Sequence, residues 1–116
     1  MLQDISLSFF IAVNTNKETI LKILKDYEGI SLSLSDYNQI IINRNNVEIN
    51  RNEDYDEKLS LIDEDAFLYY ESNMYFYPCD DTLILEKQIW LAKEICRMFS
   101  KLGIPSEIVA EFEELL

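Results

Sequence analysis

Carboxylates are the most plentiful groups in this chain that could carry chemistry. Glu53, Asp54, Asp56 and Glu57 form one cluster, and Asp63, Glu64 and Asp65 form a second. Acids at this spacing can divide acid and base roles between them or hold Mg2+ or Ca2+. A calcium loop of the EF-hand kind needs a glycine at its sharp turn, and residues 52–66 contain none. Histidine is absent from the whole chain, which removes the usual proton carrier near neutral pH, the Ser-His and Cys-His nucleophile pairs and most zinc sites. The seven acids therefore read as solvated loop residues, and the chain is expected to be no enzyme, with no catalytic residue, cofactor or metal.

The chain's two glycines, Gly29 and Gly103, are each taken up by the end of a predicted helix, which leaves no phosphate-cradling loop. Cys79 and Cys96 lack CxxC spacing and read as buried free thiols, with a disulfide between them as the lesser alternative, in a reducing compartment, the cytoplasm. Cys79 lies near a predicted helix start, where the dipole would favour thiolate, but Asp80 and Asp81 oppose it.

Charge is partitioned along the chain. Residues 36–81 hold twelve acids and three bases, so they carry most of the formal net charge of −12. Free nucleic acid and anionic membranes would be repelled by such a segment, and a basic protein attracted. Tyr37, Tyr55, Tyr69, Tyr70, Tyr75 and Tyr77 lie in the same segment. Tyrosine offers rigid contact area with a polar tip, and tyrosine mixed with carboxylate suits the gripping of arginine and lysine. Tyr70 is expected in the core with Leu68, Met74 and Phe76, and Trp90 is expected to pack on a helix flank.

The elements that must position these groups follow from periodicity. Ile5–Val13 alternates as a near-central strand, because Phe10 and Ala12 make its second face apolar too. Asn14 or Thr15 caps a predicted helix with Glu18 in capping-box spacing, an apolar stripe of Ile20, Leu21, Ile23, Leu24 and Tyr27, and a left-handed stop at Gly29. Residues 30–34 alternate again before a turn at 35–38. The runs QIIINR and VEINR form a predicted hairpin about Asn45-Asn46, with Val47 and Ile49 inward. Residues 52–66 read as loop with one short strand at Leu59–Ile62. AFLYYE and MYFY form a second predicted hairpin about Ser72-Asn73. Asp80, Asp81 or Thr82 caps a helix from Leu83 to Leu102, whose broad apolar surface calls for two packing neighbours. Pro105 and Ser106 open a short final helix with Ile108, Val109, Phe112, Leu115 and Leu116 inward.

The order predicts one globular α+β domain over residues 1–116. It is a two-layer sandwich in which an antiparallel sheet of about five strands carries two longer helices on one face and a short C-terminal helix, ferredoxin-like or related. No apolar run approaches the ~20 residues that span a bilayer. The expected function is that of a small acidic inhibitor, immunity-type or nucleic-acid-mimic protein that covers a basic partner such as a toxin, nuclease or other nucleic-acid enzyme. In size and charge the chain resembles bacterial immunity proteins and anti-restriction or anti-CRISPR mimics. The expected contacts are Glu53, Asp54, Tyr55, Asp56, Glu57, Asp63, Glu64, Asp65, Tyr69, Tyr75 and Tyr77. The alternative is a structural module whose apolar faces pair protomers into a homodimer while its charge serves solubility.

Overall fold

The computed structural model describes residues 6–35 and 39–116. Ile5, Asp36, Tyr37 and Asn38 lie outside the described residues. Among the described residues, six strands form one antiparallel sheet, one more than expected. They are β1 (Phe9–Val13), β2 (Leu32–Leu34), β3 (Ile40–Ile42), β4 (Asn45–Arg51), β5 (Ser72–Pro78) and β6 (Ser106–Ala110), in the order β2-β3-β4-β5-β1-β6. Three helices accompany them: α1 (Lys17–Asp26), the single turn α2 (Leu59–Ile62) and α3 (Leu85–Lys101). None is long and apolar enough to cross a membrane.

Strand alternation decides which face is covered. Phe9, Ile11 and Val13 of β1, Val47 and Ile49 of β4, and Met74 and Phe76 of β5 meet Ile20 and Leu24 of α1 and Leu91, Ile95 and Phe99 of α3 in one core. Removing each such side chain from water contributes about 1.5–3 kcal/mol, so this shared face holds the two longer helices on the sheet. Phe9 and Phe76, paired in register, stack with ring centroids 4.5 Å apart, and Phe112 meets Phe9 edge-on at 5.6 Å. β1 is an inner strand, between β5 and the edge strand β6, as expected of a near-central one.

The first predicted hairpin is displaced by two residues. Its turn is Asn43-Arg44, with φ of 46° and 67°, and Ile42 pairs with Asn45. A turn at Asn45-Asn46 would set Arg44 opposite Val47, on the face that packs against the helices. The observed register places Arg44 in the turn, where its guanidinium reaches Asp80, and so avoids burying a charge. Asn43 earns its place by bonding Ser31 twice: its amide donates to the Ser31 carbonyl, and its Oδ1 accepts from the Ser31 amide at 2.7 Å.

The second predicted hairpin is absent. Ser72 and Asn73 lie inside β5, where Ser72 is buried opposite both Val13 and Arg51, and Ala66–Tyr69 form a 3-10 turn. Leu59–Ile62 is likewise helical rather than extended, with the Asp56 carboxylate accepting from the Leu59 amide at 2.9 Å.

The final predicted helix is instead the edge strand β6, followed by a 3-10 turn at Glu113–Leu115. An unpaired edge of β1 would leave backbone groups without partners, and the β-branched pair Ile108-Val109 suits that edge. Phe112 is buried as expected, but Leu115 and Leu116 are exposed. The neighbours of α3 are therefore the sheet and α1.

Caps also differ from expectation. Asn16 caps α1, accepting from the Thr19 amide at 2.8 Å, because Asn14 bonds Pro105 and Glu71 while the Thr15 carbonyl accepts from Ser72. Ile84 precedes α3 without a side-chain cap, and Asp80 serves Thr82 and Arg44 instead. Gly103 holds the left-handed conformation at φ 73° after α3, but Gly29 does not. At Gly29 a Cβ would stand 2.5 Å from the Tyr27 ring, so close approach accounts for that glycine.

Candidate functional site

β4 ends at Arg51 and β5 begins at Ser72, and the chain between them forms an acidic loop at one end of the sheet. Asn52 closes it. Its Nδ2 donates to the carbonyls of Leu68 at 2.9 Å and Tyr70 at 2.8 Å, its Oδ1 accepts from the Asp54 amide at 3.0 Å, and its own amide donates to the Glu71 carbonyl. The Asp56 amide adds a bond to the Tyr69 carbonyl. Two short helical turns, α2 and Ala66–Tyr69, pack on one another inside this frame.

The loop presents carboxylates outward. Glu53, Asp54, Asp56, Glu57, Glu64 and Asp65 are exposed and Asp63 is half-buried. Among the described residues the ion pairs are Arg44–Asp80 and Arg97–Glu94, so none of these seven acids is neutralised from within. Asp56 and Asp63 do accept backbone bonds, which orient them without removing their charge. No three Cys, Asp or Glu side chains among the described residues converge as a metal site would require. Tyr55, half-buried, lies under the Arg51 guanidinium at 5.7 Å from ring centroid to cation.

Apolar side chains stand among these acids, which the composition did not reveal. Leu61 is 71% exposed, Ile62 67% and Leu68 51%. The helical turn at α2 is what turns Leu61 and Ile62 to solvent. A strand over the same residues would have alternated them, so the signal was hidden by the wrong local conformation.

The tyrosines divide. Tyr69 belongs to the 3-10 turn of the loop, half-buried. Tyr75 and Tyr77 lie on β5, on the face of the sheet turned away from the helices, and do not share a surface element with Tyr69. Tyr70 is half-buried rather than core. Desolvation raises its pKa above 10.0, and the charge of nearby Glu107 adds to that rise. Trp90 does not pack as expected, being 48% exposed on α3.

At the other end of the sheet a cavity of about 770 Å3 is lined by Asn43, Arg44, Thr82, Lys87, Gln88 and Trp90, among others. Gln88 in its wall exchanges hydrogen bonds with the buried Asn45 behind it. Arg44 there is already engaged by both oxygens of Asp80, at 2.6 and 2.7 Å. Bonds from the Thr82 side chain and from Arg44 hold the Asp80 carboxyl down at about 2. Cys79 is free but exposed rather than buried as expected, and it stands six residues ahead of α3, away from the helix N-terminus. Cys96 is free and partly buried, and desolvation pushes its thiol pKa up, the direction opposite to activation.

Comparison of the chain with protein-family models, with curated proteins and with solved structures found no match.

Proposed function

We propose that the protein is a small acidic binding protein that covers a basic partner, such as a toxin, a nuclease or another nucleic-acid enzyme. It acts by occupancy rather than catalysis, as an inhibitor or immunity-type protein. The observation that carries this reading is the loop of residues 52–71, which exposes un-neutralised carboxylates together with Leu61, Ile62 and Leu68. Carboxylates steer a basic partner to the loop and set its orientation, and apolar anchors at the centre slow its release. Loop acids at the spacing of Glu53, Asp54, Asp56 and Glu57 can stand where phosphates would on the partner's own ligand. The chain has no histidine to supply proton transfer, which further favours binding over turnover. A reducing cytoplasm suits its two free thiols.

A ferredoxin-like reading of the scaffold is supported by strand order. Without the β2-β3 extension, the chain runs β1-α1-β4-β5-α3-β6 with spatial order β4-β5-β1-β6, the split β-α-β arrangement twice over.

The test is affinity capture from host extract with the full chain, followed by titration of the recovered basic partner. Replacing Glu53 and Glu57 by Gln and Asp54 and Asp56 by Asn is expected to weaken binding more than tenfold at low salt, with the deficit shrinking as salt rises. Leu61→Ser with Ile62→Ser is expected to speed release at every salt concentration. Unchanged affinity in the neutralised variant would overturn the reading.

The second reading, a homo-oligomeric assembly module, is favoured by one observation: β6 is the outer strand of an open sheet, and its far edge can pair with a second copy. A salt-insensitive dimer in sedimentation, with no basic protein captured, would establish it over the first.

A further inference from the structure

We infer that the open face of the sheet is a docking surface for an arginine-bearing segment of the basic partner, read by an aromatic ladder of Phe10, Tyr75 and Tyr77 with Glu48 and Glu107 beside it. This inference rests on the basic-partner reading above and adds a second contact surface, adjoining the acidic loop, whose 3-10 turn packs on β1.

Alternation sends Phe10 of β1 and Tyr75 and Tyr77 of β5 away from the helices. Phe10 and Tyr75, paired in register, have ring centroids 5.2 Å apart, and the Tyr75 and Tyr77 rings lie within 8° of parallel at 6.4 Å. The ladder thus runs across two neighbouring inner strands, β1 and β5, and along β5. Tyr77 is 42% exposed, whereas Ala12 on the same face is buried where the 3-10 turn of the loop packs on β1.

The neighbours of the ladder have one sign of charge. Glu48 stands opposite Tyr75 on β4 and Asn46 opposite Tyr77, while on β6 Glu107 stands opposite Ala12, two residues along β1 from Phe10. Directly paired side chains on one face of a sheet lie about 5 Å apart, so Glu48 borders the Tyr75 ring. Glu48 and Glu107 are exposed. No lysine or arginine occupies a described strand position on this face.

Flat aromatic rings in a sheet can also stack nucleobases. A nucleic acid laid on these rings would set its phosphates against Glu48 and Glu107 on a chain of net charge −12, with no cation on the face to receive them. A guanidinium fits both features. Its plane stacks on tyrosine while its N–H fork reaches a neighbouring carboxylate, whereas lysine offers a hydrated point charge with no plane. The surface is therefore expected to prefer arginine over lysine at equal charge.

The experiment is calorimetric titration of the full chain with hexa-arginine and hexa-lysine peptides at low salt. The arginine peptide is expected to bind about fivefold tighter or more, the scale of a stacked cation on a partly exposed ring. Tyr77→Ala combined with Tyr75→Leu is expected to bring the ratio to about one, and Tyr77→Phe to keep it. Retained unfolding temperatures show that the variants fold, and Glu48→Gln serves as a variant that leaves the rings in place and still weakens both peptides. Equal binding of the two peptides by the native chain would overturn the inference, as would an arginine preference that survives loss of both rings. Ring-dependent binding of an oligouridine would also overturn it. The loop variant with four neutralised acids separates the two proposals. If it weakens both peptides but keeps the ratio, both stand; if it leaves both affinities unchanged, the loop reading fails whatever the ratio does.

Discussion

The Asn52 side chain donates to the Tyr70 carbonyl at 2.8 Å, tying the end of β4 to a residue two positions ahead of β5. With its second bond to Leu68 at 2.9 Å, one amide closes the whole acidic loop. Asn52→Ala is expected to cost about 1–2 kcal/mol in urea unfolding, since two backbone carbonyls lose their donor. Amide exchange over residues 53–70 should accelerate while the central strands stay protected, and partner release should quicken. Unchanged exchange in the loop would show that its shape does not depend on this residue.

Asn45 and Gln88, both buried, exchange two hydrogen bonds, at 3.1 and 2.8 Å, and Gln88 also donates to the Leu7 carbonyl at 2.8 Å. Asn45→Leu or Gln88→Leu leaves the other amide buried without its partner, at an expected cost of about 1–3 kcal/mol. The double replacement should cost less than the sum, with a coupling of about 0.5–3 kcal/mol in a double-mutant cycle. Strict additivity would mean that the two amides act independently.

Asp80 accepts from Thr82 and Arg44, which lower its carboxyl from 3.8 to about 2. A carboxyl lowered on folding adds stability above its ordinary value, and that stability is lost as pH falls through the lowered one. Asp80→Asn should therefore flatten the acid limb of the stability profile between about pH 4 and pH 2 and leave the neutral region nearly parallel to the native curve. Unfolding midpoints measured across that range decide it.

Tyr27 donates its hydroxyl to the Glu94 carboxylate, which Arg97 also engages, and Glu94 is only 7% exposed. The bond to Glu94 raises the Tyr27 pKa above 10.0, and bonds from Arg97 and Tyr27 lower that of Glu94 below 4.5. For a tyrosine raised on folding, stability is complete below its ordinary value and is lost as pH rises through the raised one. For Glu94 the loss comes as pH falls. Tyr27→Phe should remove the alkaline loss and delete one high-pH step from the phenolate absorbance titration. Gly29→Ala, by pushing on the same ring, should bring the Tyr27 titration back toward its ordinary value.

Some features were legible in the residues alone because they depend on near neighbours. Alternation identified Val47 and Ile49 as inward, and 3.6-residue periodicity placed the buried Ile20 and Leu24 in the apolar stripe of α1. The α+β class and the crowding of acids into residues 53–65 follow from the same local information.

What tertiary structure decided was which of several locally acceptable conformations each ambiguous segment takes. Ser106–Ala110 has both a helix-cap residue and β-branched residues, and the open edge of β1 settled it as a strand. The hairpin turn moved from Asn45-Asn46 to Asn43-Arg44 because the core accepts an asparagine that Gln88 can bond, while Arg44 needs water and Asp80. Leu61, Ile62 and Leu68 are exposed on two helical turns where propensity suggested strands, the first bonded at its start by Asp56 and the second at Leu68 by Asn52, sixteen residues away. Short-range preferences differ by about 1 kcal/mol or less per residue, so a single long-range hydrogen bond or buried charge is enough to overrule them.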